Sequence, residues 1–97
     1  ETAIQLLGIY DEFAVSADFV FLMGLIYMNN ARFTEAIGEF LKATRMSNYR
    51  MEGVNSYRAF YNIGVIYECL GVTEKARKYY RMCGNYEPAL KRLSSIG

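Results

Sequence analysis

The sequence has no histidine and no tryptophan, a single proline and two cysteines among its 97 residues. Without histidine there is no Ser-His-Asp or Cys-His catalysis, no zinc site built on imidazole and no proton shuttle working near neutral pH. Cys69 and Cys83 show no C-x-x-C spacing, so neither a thioredoxin-like pair nor a four-thiolate metal site can be assembled. Their plainer reading is as two small buried apolar residues in a reducing compartment, the alternative being a disulfide in a secreted chain. Eight glycines form no Gly-x-Gly-x-x-Gly or Walker-type loop, which removes the usual phosphate cradles. No enzyme is expected in these residues: no catalytic group, no cofactor and no metal ligand.

Long apolar runs are missing too. The longest, Phe19 to Met28, is half the ~20 residues that a bilayer requires, and no signal peptide is visible. No membrane contact is expected, and a cytoplasmic location is. A net charge of +1 with 53% hydrophobic residues excludes a disordered chain and a strongly basic nucleic-acid module. The length fits one domain over 1–97. At this size only about 60–65% of the unfolded surface is buried, so each apolar stripe has to find a partner. Opening at Glu1 rather than Met, the chain reads as a piece of something longer.

Charge is lopsided. Residues 1–50 hold six acids and four bases, whereas 51–97 hold four acids and seven bases. The excess in Lys75, Arg77, Lys78, Arg81, Lys91 and Arg92, interleaved with Tyr79, Tyr80 and Tyr86, offers a nucleic-acid stripe. The same spacing describes an ordinary solvated helix face, which is the stronger reading, and no nucleic acid is expected as the main partner.

Periodicity is helical almost throughout. Val20, Met23, Gly24 and Tyr27 share one face, as do Phe60, Ile63, Gly64 and Tyr67. The pattern predicts helices over 2–14, 17–29, 33–46, 55–70, 73–85 and 88–95. Asn29-Asn30 ends one segment, Gly71 is placed as a left-handed cap, Thr73 as an N-cap, and Pro88 opens the last helix. Shifting the chain by forty aligns Gly24 with Gly64, Tyr27 with Tyr67, Ala36 with Ala76 and Phe40 with Tyr80. Shifting by thirty-three sets Ala3, Leu7 and Tyr10 on Ala36, Phe40 and Ala43. The chain is therefore a repeat of helix pairs, in which Gly24 and Gly64 leave room for the small Ala36 and Ala76 of the paired helix. Its expected segments are a half repeat at 1–16, repeats at 17–50 and 57–90, an extended junction at 51–56 and a terminal helix within 88–97.

The series Phe60-x-x-Ile63-Gly64-x-x-Tyr67, Ala76-x-x-x-Tyr80, Pro88 resembles the tetratricopeptide repeat, and Val20, Met23, Gly24, Tyr27, Ala36 and Phe40 form an earlier copy. The resemblance implies an all-α antiparallel hairpin solenoid of about two repeats plus flanking helices, whose first helices line a concave protein-binding face. In that register the concave residues are Asp18, Phe21, Leu25, Met28 and Asn29, then Arg58, Tyr61, Val65, Glu68 and Cys69. Members that bind chaperones clamp a terminal carboxylate with Lys, Asn and Arg. Phe21, Leu25, Tyr61 and Val65 stand at those sites here, so the clamp does not carry over. Helix 17–29 is apolar on every side, which predicts an exposed patch of Phe21, Leu25 and Met28 that a partner, a neighbouring copy, the terminal helix or the extra loop covers.

The two copies stand forty residues apart instead of about 34. The surplus falls between Arg45 and Tyr57, with Tyr49, Met51 and Val54 as its apolar members, and reads as a loop packing its own side chains or as a contact loop. The stretches from Ala17 to Met28, from Glu52 to Tyr57 and from Tyr61 to Glu68 are similar to the repeat region behind the catalytic domain of some bacterial family 2 glycosyltransferases. That resemblance implies a parent enzyme using a nucleotide-sugar donor and a metal-binding acidic motif that has no counterpart here. The chain would then be a non-catalytic module for oligomerisation, for docking a protein or for packing on its own enzyme. A free-standing adaptor built from the same repeats is the alternative.

Overall fold

The structure, a computed structural model, describes residues 16–96. The helix expected over 2–14, and with it the half repeat apart from Ser16, lies outside the described residues. Among the described residues there are five helices and no strand: α1 Ala17–Asn29, α2 Phe33–Ala43, α3 Tyr57–Cys69, α4 Thr73–Arg81 and α5 Glu87–Ile96. Each packs on the next in chain order, giving an elongated body of 43 × 25 × 15 Å. None is long and apolar enough to cross a membrane.

Local chemistry sets the helix ends. The Ser16 hydroxyl accepts the Phe19 N–H at 3.3 Å, filling one of the donors that a helix start leaves unpaired. Both hairpins turn in the same way. The N–H of Arg32 donates to the Tyr27 carbonyl at 2.8 Å, and forty residues on Val72 donates to Tyr67 at 2.9 Å. Such a turn needs one left-handed residue. Gly71 supplies it in the second hairpin with φ +78°, as expected, while in the first the position falls to Ala31 with φ +60°. Two further expectations are corrected. Thr73 is the first helical residue and caps nothing with its side chain. Helices α2 and α4 stop three to four residues early, at Ala43 and Arg81. After Ala43 the Thr44 hydroxyl donates to the Leu41 carbonyl at 2.6 Å, and after Arg81 the chain reaches a left-handed Gly84.

Aromatic rings on the second helices fill the hairpins. Phe40 and Tyr80 are fully buried, each contributing on the order of 1.5–3 kcal/mol through burial of its ring. A Cβ added to Gly24 would lie 2.6 Å from Phe40 Cε1, and one added to Gly64 would lie 2.6 Å from Tyr80 Cε1. The glycines thus make way for a ring edge, which corrects the sequence reading that set them against alanine methyls. Ala36 and Ala76 are buried beside the same rings.

The lengthened junction is packed and hydrogen-bonded. Val54 is fully buried in the core shared by α1, α2 and α3, while Tyr49 and Met51 stay exposed. The Asn55 side chain donates to the Met46 carbonyl at 2.8 Å, and Ala17 N–H donates to Asn48 O at 2.8 Å. A third tie comes from Asp18.

Candidate functional site

The first repeat's share of the expected concave face is spent internally. Asp18 Oδ2 accepts the Arg50 N–H at 2.6 Å and Oδ1 accepts the Met51 N–H at 2.8 Å. These two bonds hold its carboxyl below the usual range. Phe21 is 7% exposed, with its ring 5.4 Å from that of Phe40 in an edge-on contact. Leu25 and Met28 are half-buried against the same core, and Asn29 is exposed at the helix end. The expected patch of Phe21, Leu25 and Met28 is therefore not exposed as a unit. The large side chains that α1 turns outward are Phe19, 36% exposed, Leu22, 50% exposed, and Ile26, 45% exposed.

The second repeat keeps its face open. Arg58 is exposed and Tyr61, Val65 and Glu68 are half-buried along α3, facing the chain that enters α5. Two cavities lie there with Tyr61 beside them. One, of about 340 Å³, is lined by Tyr57, Arg58, Cys83, Asn85 and Tyr86. The other, of about 330 Å³, is lined by Tyr61, Val65, Glu68, Cys69, Tyr80 and Arg92. Rings frame both: Tyr57 stands 4.7 Å from Tyr86, and Tyr61 stands 5.5 Å from Tyr86 and 5.8 Å from Tyr80.

Glu68 is the hub of the second cavity. It accepts from Arg92 through both oxygens and from the Tyr80 hydroxyl at 2.7 Å. The Arg92 guanidinium first, then the phenol, lowers the Glu68 carboxyl below its ordinary value. Burial first, then the carboxylate, raises the Tyr80 phenol well above its own. The concave register includes Glu68 but not Arg92, Tyr57 or Tyr86, which line these same cavities. A signal was available: α5 begins about thirty residues after α3, the place of a third first helix, so its inner residues face α3.

The cysteines are both free. Cys83 is buried as expected, which pushes its thiol up to about 11. Cys69 is exposed, against the expectation for both. The basic stretch does not become a base-stacking surface. Tyr80 is buried, Tyr79 stacks on Phe60 and Tyr67, Lys75 and Lys78 sit over Tyr67 and Tyr79, and Arg77 donates to the Ile96 carbonyl. Rings covered by protein offer no free face to a nucleobase. What remains is a surface of tyrosines, one open guanidinium and one internal ion pair.

Comparison with curated proteins and with solved structures returned no match. The tetratricopeptide repeat matches at residues 17–49 and again at 57–90, which cover α1–α2 with the start of the junction, and α3–α4 with the entry to α5. Repeats of this kind act as protein-interaction modules. With two copies spanning more than half of its length, this chain belongs to the tetratricopeptide-repeat family.

Proposed function

We propose that the groove between α3 and α5 binds an extended segment of a partner protein, and that the chain does so without chemistry of its own. The observation that carries this reading is the contrast along the concave face. The first repeat buries Phe21 and commits Asp18, whereas the second leaves two cavities walled by tyrosines. Tyrosine presents a large, stiff surface that is apolar in its body and polar at its tip, which suits peptide contact. The decisive experiment selects peptides on the immobilised chain from a displayed random library. Binders that lose affinity on Tyr61→Ala and Val65→Asp, with helix content unchanged by circular dichroism, support the groove. Binders indifferent to both substitutions reject it.

The partner or host belongs, in this proposal, to a family 2 glycosyltransferase of which the chain is a non-catalytic part. Support comes from the similarity of Ala17–Met28, Glu52–Tyr57 and Tyr61–Glu68 to such regions, and from a lengthened junction built into the core through Val54. A cytoplasmic setting goes with it, in keeping with two free cysteines. The reading frame upstream of Glu1 is the test. A nucleotide-sugar-binding domain encoded there supports the parent enzyme; an in-frame stop followed by a start codon favours the free-standing adaptor.

A further inference from the structure

The two repeats treat one register position in opposite ways. Asp18 is the second residue of α1 and Arg58, forty residues later, is the second residue of α3. In the first repeat the segment following α2 runs across the start of α1. There Asn48 accepts the Ala17 N–H, and Asp18 accepts the N–H groups of Arg50 and Met51. The fold thus already contains one stretch of backbone laid over the start of a first helix and held by the residue at this position. In the second repeat the chain after α4 turns within 82–86 and enters α5. It leaves the cavity of about 340 Å³ beside Arg58.

The chemistry of that cavity has one sign. Arg58 lines it with an exposed side chain, while Glu35, Glu74 and Glu68 pair with Arg32, Arg77 and Arg92 instead. Asn85 adds an amide at the rim. Tyr57 and Tyr86 form the walls, and the Cys83 thiol donates to the Tyr57 carbonyl at 3.3 Å behind them. An arginine fork binds a planar carboxylate through two parallel N–H bonds, and each is stronger than a neutral hydrogen bond.

We propose that this cavity receives the side-chain carboxylate of an aspartate or glutamate in an extended partner segment, held by Arg58 beside the paired rings of Tyr57 and Tyr86. The inference rests on the groove reading above and names the residue type that the groove selects. Its test uses the whole chain and peptides acetylated at the N-terminus and amidated at the C-terminus, so that the only carboxylates are side-chain ones. Random peptides selected on the chain are expected to share Asp or Glu at one position. Replacing that residue by Asn or Gln is expected to weaken binding about tenfold or more by fluorescence anisotropy, and Arg58→Gln to weaken it equally. Arg58→Glu paired with a lysine at the same peptide position is expected to recover binding. Because the peptide substitution needs no protein variant, the result does not depend on how Arg58→Gln folds. Peptides that need Tyr61 and Val65 but share no acidic position, or that ignore Arg58→Gln, overturn this inference and leave the groove standing. A selection that enriches nothing over an unrelated helical protein removes both.

Discussion

Set side by side, the two repeats hold the same hairpin with different contents. At each register position of the second helix a fully buried ring presses on a glycine of the first, Phe40 on Gly24 and Tyr80 on Gly64. The residue forty places along on the concave face changes with the ring. Met28 accompanies Phe40, a ring with no hydroxyl, and Glu68 accompanies Tyr80, whose hydroxyl donates to it. On the opposite side the difference lies in stacking. Ala59 and Ile66 are fully buried where the first repeat packs on α3, while their equivalents on α1 include Ile26, which is 45% exposed. A shared backbone plan therefore fixes what fills the hairpin, and neighbours decide what becomes of each face.

The rings give the sharpest test of that equivalence. Phe40→Ala and Tyr80→Ala each remove a fully buried ring, and thermal or urea melts are expected to show losses of about 3–5 kcal/mol for either. Unequal losses, with one near zero, would break the claim that the two hairpins are built alike. Tyr80→Phe separates the ring from its hydroxyl. It is expected to cost on the order of 1 kcal/mol, leaving Glu68 held by Arg92 alone, whereas Phe40 has no counterpart to lose. Next in size come the glycines. Gly24→Leu and Gly64→Leu drive a side chain into a ring 2.6 Å from the first added carbon, at about 1–3 kcal/mol each. The loss at Gly64 is expected to be the larger, because the Tyr80 ring is tethered through its hydroxyl and cannot slide aside as Phe40 can. Equal melting of both variants and the parent chain would remove the close-approach argument.

Much of this is legible in the sequence. The 3.6-residue period, the breaks at Asn29-Asn30 and Gly71 and the offset of forty locate the described helices, and 17–29 matches α1 to the residue, while α2 and α4 end short of the expected 46 and 85. The glycine register was visible, but not its partner: a ring edge over glycine and a methyl beside it leave the same trace in sequence. Helix α1 was misread for a physical reason. A segment apolar on every side carries no angular information, so Phe21 and Leu22 could not be told apart as inward and outward. Asp18 was misread because its partners lie thirty-two and thirty-three residues away, in a junction whose path follows from tertiary packing. Of the expected concave residues of α3, Arg58 lines one cavity and Tyr61, Val65 and Glu68 line the other.

The turns sharpen the comparison at a smaller scale. Ala31 and Gly71 share one left-handed position. A side chain there costs about 1–2 kcal/mol, of which glycine's greater freedom in the unfolded chain takes back about 0.5–1 kcal/mol. Ala31→Gly is therefore expected to stabilise by about 0.5–1 kcal/mol and Gly71→Ala to destabilise by a similar amount, read as opposite shifts in melting temperature. Shifts of the same sign would mean that Ala31 and Gly71 do not carry the same left-handed penalty.

The smallest effect concerns the junction, where the repeats differ most. Asp18 is ionised more readily in the folded chain than its ordinary value of 3.8 allows, because its carboxylate accepts the Arg50 and Met51 amides. A carboxyl lowered by folding stabilises above its unfolded pKa, and that contribution is lost as pH falls through the lower folded value. Amide exchange at Arg50 and Met51 is thus expected to be slow at neutral pH and to lose protection only once the medium is acidified below about pH 4. Asp18→Asn turns one acceptor into a donor facing an N–H. It is expected to speed exchange at these two amides at pH 7, to leave the Val72 amide of the second hairpin unchanged, and to erase the acid-dependent step. If both amides exchange equally in Asp18→Asn and the parent at neutral pH, the junction is held by Val54, Asn55 and the Ala17–Asn48 bond without Asp18. The opposite use of Asp18 and Arg58 would then lose its foundation, even with the groove intact.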